Sequence, residues 1–374
     1  MQTITDFHPT VCAVRDTYQI MILTKTDALV SVRIGDKTYA NHTNGIRIST
    51  AGVHRICVPA KVLDSAREYT VVAQKMIERL AYFSKTEEPI EKTYKFKPLE
   101  KTQNINVYHL ADVHGELEQA VECASLYENN IDLLILNGDI SSSSDTFDDM
   151  TLCYKIASRI TKGEFPCIMS RGNHDLRGLG AETLATVMPG DNGKSYYTIR
   201  VGCIWAILVD TGEDKDDDHV EYGNTVACHQ FREEQEEMIK RVIDNAKNEY
   251  ENDGVVYKLV ISHVPFTFKR NPPFDIEREM YTSWSRLLRE NVAPDLMLCG
   301  HTHNALISER GSEQDDLGHP CTVLVGSNVV TEIANGQVLG RTLTGSYITL
   351  IKNKAEITFN TGKKVESKHE IFFN

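Results

Sequence analysis

Five short clusters of oxygen- and imidazole-bearing residues punctuate the chain beyond residue 108. They read Tyr-His-Leu-Ala-Asp-Val-His-Gly from Tyr108, Leu-Asn-Gly-Asp at 136–139, Arg-Gly-Asn-His-Asp at 171–175, Ile-Ser-His at 261–263 and Gly-His-Thr-His at 300–303. Together they offer Asp112, His114, Asp139, Asn173, His263, His301 and His303 as candidate metal ligands, enough for two divalent ions. A lone buried histidine is more often a hydrogen-bonded core residue than a ligand, but five clusters in register reverse that preference. Mixed imidazole and carboxylate ligands suit transition metals, with Mn, Fe or Zn expected, better than Ca or Mg. Two such ions about 3.5–4 Å apart can activate a water between them and offset the charge of an in-line phosphoryl displacement. The chemistry implied is hydrolysis of a phosphate ester.

Placement strengthens the reading. Each cluster follows a short apolar run, and in an α/β sheet ligands gather beyond the carboxyl ends of the strands. Asp112 and His114 are two apart, as are His301 and His303, so each pair shares one side of an extended segment. Gly138 and Gly300 precede ligands and permit close backbone approaches. His174, beside Asn173, is expected to donate a proton to the leaving oxygen or to stabilise charge there; the plainer reading is that His174-Asp175 closes a turn. Asp175 is expected to orient the His174 ring. Arg171 is a candidate contact for phosphate oxygens and equally a surface residue.

Positioning these groups requires alternating strands and helices. From residue 105 the chain reads strand (105–111), helix (116–127), strand (133–136), helix (147–160) and strand (167–170). Strands follow at 204–209 and 255–261, separated by a helix from about 229 to 246. In that helix Phe231, Gln235, Met238, Ile239, Val242 and Ile243 recur at helical spacing. A helix near 276–289 precedes a strand at 296–299, and short strands return after 320. Residues 1–100 differ: β-rich segments at 18–24, 28–34, 55–60, 69–76 and 92–97 alternate with Gly35-Asp36, Asn44-Gly45 and Ala51-Gly52 turn signals. That pattern predicts a small all-β, immunoglobulin-like domain over 1–100 and a catalytic domain over 101–374, with a polar linker near 97–104.

Hydrophobic residues make up 41% of the 374 and charged residues 25%, the balance of a globular chain. The formal charge of −13 argues against sequence-independent capture of nucleic acid, yet admits a small phosphorylated substrate whose charge bound metals offset. Nine cysteines without a Cys-x-x-Cys pair read as buried free thiols of a reducing compartment. No signal-like N-terminus and no long apolar run are seen, so a cytoplasmic protein without a membrane span is expected. The acidic run 214–219 reads as a solvated loop or as a further cation site. The segment after His263, from Phe266 to Arg270, reads as a core-covering loop or a substrate-facing one.

In this order, Asp-x-His, Gly-Asp, Gly-Asn-His-Asp, a lone His and Gly-His-x-His resemble the calcineurin-like metallophosphoesterase superfamily over roughly residues 104–310. The resemblance implies a four-layer α/β/β/α sandwich with its site at the strand edges. It also implies a first metal on Asp112, His114 and His303, a second on Asn173, His263 and His301, Asp139 bridging both, and His174 as the acid. The preceding β-rich region is similar to the arrangement in purple acid phosphatases, where a Tyr three residues after the bridging Asp binds ferric iron. Here that position is Ser142, and Asp175 stands where those enzymes usually carry Glu. A colourless or weakly coloured metal pair is therefore expected. Two other readings stay open: a phosphoesterase fold serving as a non-catalytic scaffold, and a nuclease.

Overall fold

The computed structural model describes residues 1, 3–326, 328–334 and 337–373, with backbone alone for 328–334 and 337–341. Three parallel strands, Ile105–Leu110, Leu133–Asn137 and Cys167–Ser170, form the middle of one large sheet and deliver the first three clusters from their carboxyl ends. They are buried on both faces, which is why they read as continuous apolar runs rather than alternating ones. Gln337–Ile351, Lys354–Thr361 and Lys364–Phe372 extend the sheet on one side. A second sheet runs Tyr197–Val201, Ile204–Leu208, Tyr257–Ile261, Leu296–Cys299, Val323–Val325 and Leu306–Ser308. Its Tyr257–Ile261 and Leu296–Cys299 strands deliver the remaining two clusters.

Strand side chains alternate between faces, and the alternation builds the layers. Val107, Leu133, Ile135 and Ile168 of the first sheet share a core with Ala206, Leu208, Leu259, Ile261 and Leu298 of the second. The intervening Tyr108, Leu110, Leu134, Leu136 and Met169 pack with residues of the helices Leu117–Ser125 and Leu152–Thr161. On the opposite side Trp205, Ile207, Val260 and Met297 pack with the helices Cys228–Asp244 and Arg278–Leu287. Helix, sheet, sheet and helix therefore stack in the expected order. No described helix is long and apolar enough to cross a membrane.

The region before residue 100 is all-β apart from the helix Ala60–Ala66. Apart from the short hairpin His42–Thr43 with Ile46–Arg47, its strands divide between two sheets. Ala28–Ile34, Lys37–Ala40, Glu68–Glu78 and Ile90–Lys95 pair among themselves, whereas Thr10–Val14, Thr17–Thr24 and Gly52–Pro59 join the large sheet. The junction is parallel, with Cys12 opposite Cys167, and Val11, Val32 and Val71 belong to the same core as Ile168 and Ile199. Residue 100 thus marks a change of sequence pattern within a continuous hydrogen-bonded sheet.

The polar linker is tied down by one buried carboxylate. Asp132 accepts from Lys97 at 2.8 Å, Lys101 at 2.7 Å and the Asn106 backbone N–H at 3.0 Å. Burial opposes its charge, but these donors hold its pKa below the usual carboxylate value. A depressed folded-state pKa contributes stability above the unfolded value near 4, and that stability is lost as pH falls through the folded value. Asp132→Ala should lower stability by about 1–2 kcal/mol, mostly from the unsatisfied Asn106 N–H because both lysines are half-exposed. The deficit should shrink on acidification, as measured by denaturant unfolding at pH 7 and pH 3.

Candidate metal centre

Beyond the strand ends the loops stay paired, and this registers the candidate ligands. Asp112 N–H donates to the Gly138 carbonyl at 3.2 Å, His114 N–H to Asp139 at 3.0 Å and Gly300 N–H to His263 at 2.8 Å. Glycines let these loops touch. A Cβ on Gly138 would lie 2.6 Å from both the Gly172 nitrogen and His263 Nδ1, and one on Gly300 would lie 2.5 Å from Ala111 Cβ. The alternation expected of Asp112 and His114 does not apply, because the strand ends at Leu110. Asp112, His114, Asp139, His301 and His303 all have left-handed backbone, with φ of 52°, 47°, 51°, 70° and 54°. Non-glycine residues adopt that region only where the surroundings enforce it, and such strain collects at functional sites.

The seven expected ligand side chains converge. Asp112, His114 and His303 bring one ligand atom each within 4.8 Å of one another, as do Asp139, His263 and His301. Asn173 Oδ1 joins the second group, 3.0 Å from His301 Nδ1. His114 Nε2 and His303 Nε2 are 3.1 Å apart. Burial keeps His114 and His301 neutral, pushed down to about 4, so each retains a ring lone pair.

His263 tests whether a cation fits. Its Nδ1 donates to the Asn137 carbonyl at 2.7 Å, which leaves the neutral ring's lone pair on Nε2. That atom is buried without a donor to accept from and faces Asp139 Oδ2 at 3.1 Å and Asp112 Oδ1 at 3.7 Å. A lone pair aimed at two carboxylates is repulsive unless positive charge lies between them. Burial disfavours a proton there, yet Asp139 and Asp112 overrule it and push the His263 pKa up to about 10. The donor set and this demand for charge both fit a metal.

Beneath the ligands, Asn137 joins the two sheets. Its amide donates to His109 Nε2 at 3.1 Å and to the Leu298 carbonyl at 3.0 Å, while Ser170 donates to its Oδ1 at 2.6 Å. His109 is fully buried, as its position inside the first strand suggested. The sequence offered no signal for Asn137, which looks like one more polar residue in a cluster.

The three residues assigned to proton and phosphate chemistry fall differently. His174 Nδ1 donates to the Ser142 carbonyl at 2.9 Å, leaving Nε2 4.0 Å from Asp139 Oδ2. Asp175 does not orient that ring. Its carboxylate instead accepts the backbone N–H groups of Gly172 at 2.7 Å and Asp139 at 3.2 Å, bracing both ligand loops. Burial and the Asp139 charge push its pKa up to about 7. Arg171 turns to Asp210 and lies over the Phe231 ring, 5.1 Å from its centroid. The guanidinium beside His174 belongs to Arg177, with Nη1 3.4 Å from His174 Nε2. The signal for it was spacing: His174–Leu176 is a 3-10 turn, in which side chains three apart eclipse.

The acidic run is also only partly solvated. Asp214 and Lys215 are buried, and Asp214 Oδ2 lies 3.7 Å from His301 Nε2. Asp217 caps the helix Cys228–Asp244, accepting from the N–H groups of Cys228 at 2.9 Å and His229 at 3.0 Å. Ser142 directs its hydroxyl to the His114 carbonyl at 3.4 Å.

Two solved structures share the architecture. A purple acid phosphatase, PPD1, from yellow lupin (Lupinus luteus) seeds aligns over 97% of this chain and 74% of its own, with 11% identity and a TM-score of 0.60. PhoD aligns over 99% of this chain and 89% of its own, with 12% identity and a TM-score of 0.53. At such identities the likeness is one of fold. No curated protein matches the chain in sequence. The sequence pattern of the calcineurin-like phosphoesterases, however, matches residues 105–305, more than half of the chain and the stretch that delivers all five clusters. The chain belongs to the calcineurin-like phosphoesterase family.

Proposed function

We propose that the chain is a dinuclear metal-dependent hydrolase of a small phosphorylated substrate, a phosphomonoester or phosphodiester. The reading is carried by His263, whose buried Nε2 faces two carboxylates at once, an arrangement that calls for positive charge between them and suits a metal. Asp112, His114 and His303 would hold one ion, Asn173, His263 and His301 the other, with Asp139 shared; Mn, Fe or Zn suit these donors. When bound, such a pair supplies a nucleophile at neutral pH and offsets the charge that develops in phosphoryl displacement.

The chain's own residues do the rest. Asp175 holds Gly172 and Asp139 by their backbone, so Asn173 and Asp139 enter the site at a fixed spacing. The Ser142 carbonyl fixes the His174 ring through Nδ1, so that its imidazolium form presents the Nε2 proton to the departing oxygen. Ser142 offers no phenolate, which favours a metal pair without the purple enzymes' colour. Nine unpaired thiols support a reducing, cytoplasmic setting, and the net charge of −13 disfavours a nucleic acid substrate.

Chelation should abolish turnover of an aryl phosphate or an aryl phosphodiester, and added Mn should restore it. Absence of turnover of both, with any of several metals, would sink the hydrolase reading.

A further inference from the structure

Arg177 is held in a way that commits Nε and Nη2 to carboxylates and turns Nη1 toward His174. Nε and Nη2 donate to the two oxygens of Glu213 at 2.8 Å and 2.7 Å, a bidentate pair that fixes the plane of the group. Glu213 is buried, with its side chain 1% exposed, and its backbone is pinned on both sides. Its carbonyl accepts from the fully buried Arg232 at 2.6 Å, and its N–H meets Cys228 Sγ at 3.3 Å. Arg232 also donates to the Thr211 carbonyl at 2.7 Å. The helix Cys228–Asp244 thus sets where Glu213 stands, and Glu213 sets where Arg177 points.

It points at the acid. Nη1, the nitrogen left over from the Glu213 pair, lies 3.4 Å from His174 Nε2. The His174 ring is fixed independently through Nδ1 and the Ser142 carbonyl. Two nitrogens at this spacing can both reach a single oxygen at hydrogen-bonding distances of about 2.7–3.2 Å. The Arg177 side chain is 31% exposed, so a ligand can approach it. The bond to Glu213 raises its pKa still further, so the group is charged at every working pH.

We propose that Arg177 binds the phosphoryl group of the substrate and shares one of its oxygens with His174, with Glu213 as the residue that positions it. The inference rests on the phosphoesterase reading above and adds to it a fixed cation that the metal ligands do not supply. Arg177 then anchors charge on the phosphoryl group while His174 supplies the proton.

The test uses inorganic phosphate as the probe, titrated calorimetrically into the Mn-loaded protein, beside steady-state rates on an aryl phosphate. Arg177→Met strands the buried Glu213 charge, so the double variant Arg177→Met, Glu213→Gln accompanies it and removes both charges together. Both should bind phosphate about ten- to hundred-fold more weakly, the loss expected for one charge-assisted hydrogen bond. Their KM should rise while metal content by elemental analysis matches the parent. Arg177→Lys should recover part of the binding, and Glu213→Gln alone should fall between parent and double variant. Parental phosphate affinity and KM in the double variant would overturn the proposal. So would loss of metal in the double variant, because Arg177 would then be a structural prop of the loop. If the parent turns over no ester but its phosphate binding still depends on Arg177, the hydrolase reading fails and the anion site stands.

Discussion

Asp139→Ala is expected to strip the chain of metal and to lower turnover by at least about 10³-fold, since it removes nucleophile activation and charge stabilisation together. Asp139 is buried, with Oδ2 3.1 Å from His263 Nε2 and Oδ1 accepting the His174 backbone N–H at 2.9 Å. It therefore lies in the candidate metal cluster and also fixes the loop that carries His174. Asp139→Asn separates the two roles: the amide keeps an acceptor for His174 N–H but loses the charge. If charge governs metal capture, the asparagine variant should lose metal almost as completely as the alanine variant. Elemental analysis gives the first readout. Thermal unfolding gives the second, because a ligand that binds only the folded state stabilises it. Chelator should lower the Tm of the parent and leave that of either variant unmoved. Parental metal content in Asp139→Ala would remove Asp139 from the site altogether.

Much of this architecture was legible because two-sided burial leaves a strong mark. Strands such as Leu133–Asn137 and Leu296–Cys299 have neither face in water, so their apolar runs stand out. The clusters could be read because each one follows such a run just past its carboxyl end. The helix Cys228–Asp244 showed its spacing, although its fully buried Arg232 runs against any hydropathy pattern and is explained only by its acceptors on Thr211, Glu213 and Glu277.

What stayed hidden depends on partners distant in sequence. Nothing local tells Thr10–Val14, buried at every residue, to lie beside Cys167–Ser170 rather than among the other strands that precede residue 100. Asp175 was assigned to His174 because it is adjacent, but two backbone N–H groups at the floor of the loop claim its carboxylate. The same holds for Asp214: an acidic run reads as solvated until a neighbouring lysine and His301 are seen against it. Asp112 and His114 do face the same cluster, but by left-handed backbone in a loop rather than by strand alternation. Residue types and strand ends could be read from sequence, whereas orientation had to come from the packed loops.

The largest effect expected without loss of metal is at His174, where proton chemistry separates from metal chemistry. His174→Ala should retain the metals and lose about 10²–10⁴-fold in turnover on an alkyl phosphate, whose leaving oxygen needs a proton. A nitrophenyl phosphate departs as a stabilised anion and should lose far less. The contrast matters because the structure offers a competing role. His114, Asp139 and His174 also bring ligand atoms within 4.8 Å of one another, so the ring could serve a metal instead. Its Nδ1 is committed to the Ser142 carbonyl and its Nε2 stands 4.0 Å from Asp139, farther than the 3.1 Å of His263. That difference favours the acid. Equal losses on both substrates would make His174 an electrostatic or binding group, a partner to Arg177 rather than a proton donor. Loss of metal would make it a ligand, and Nε2 would then be unavailable to any leaving group.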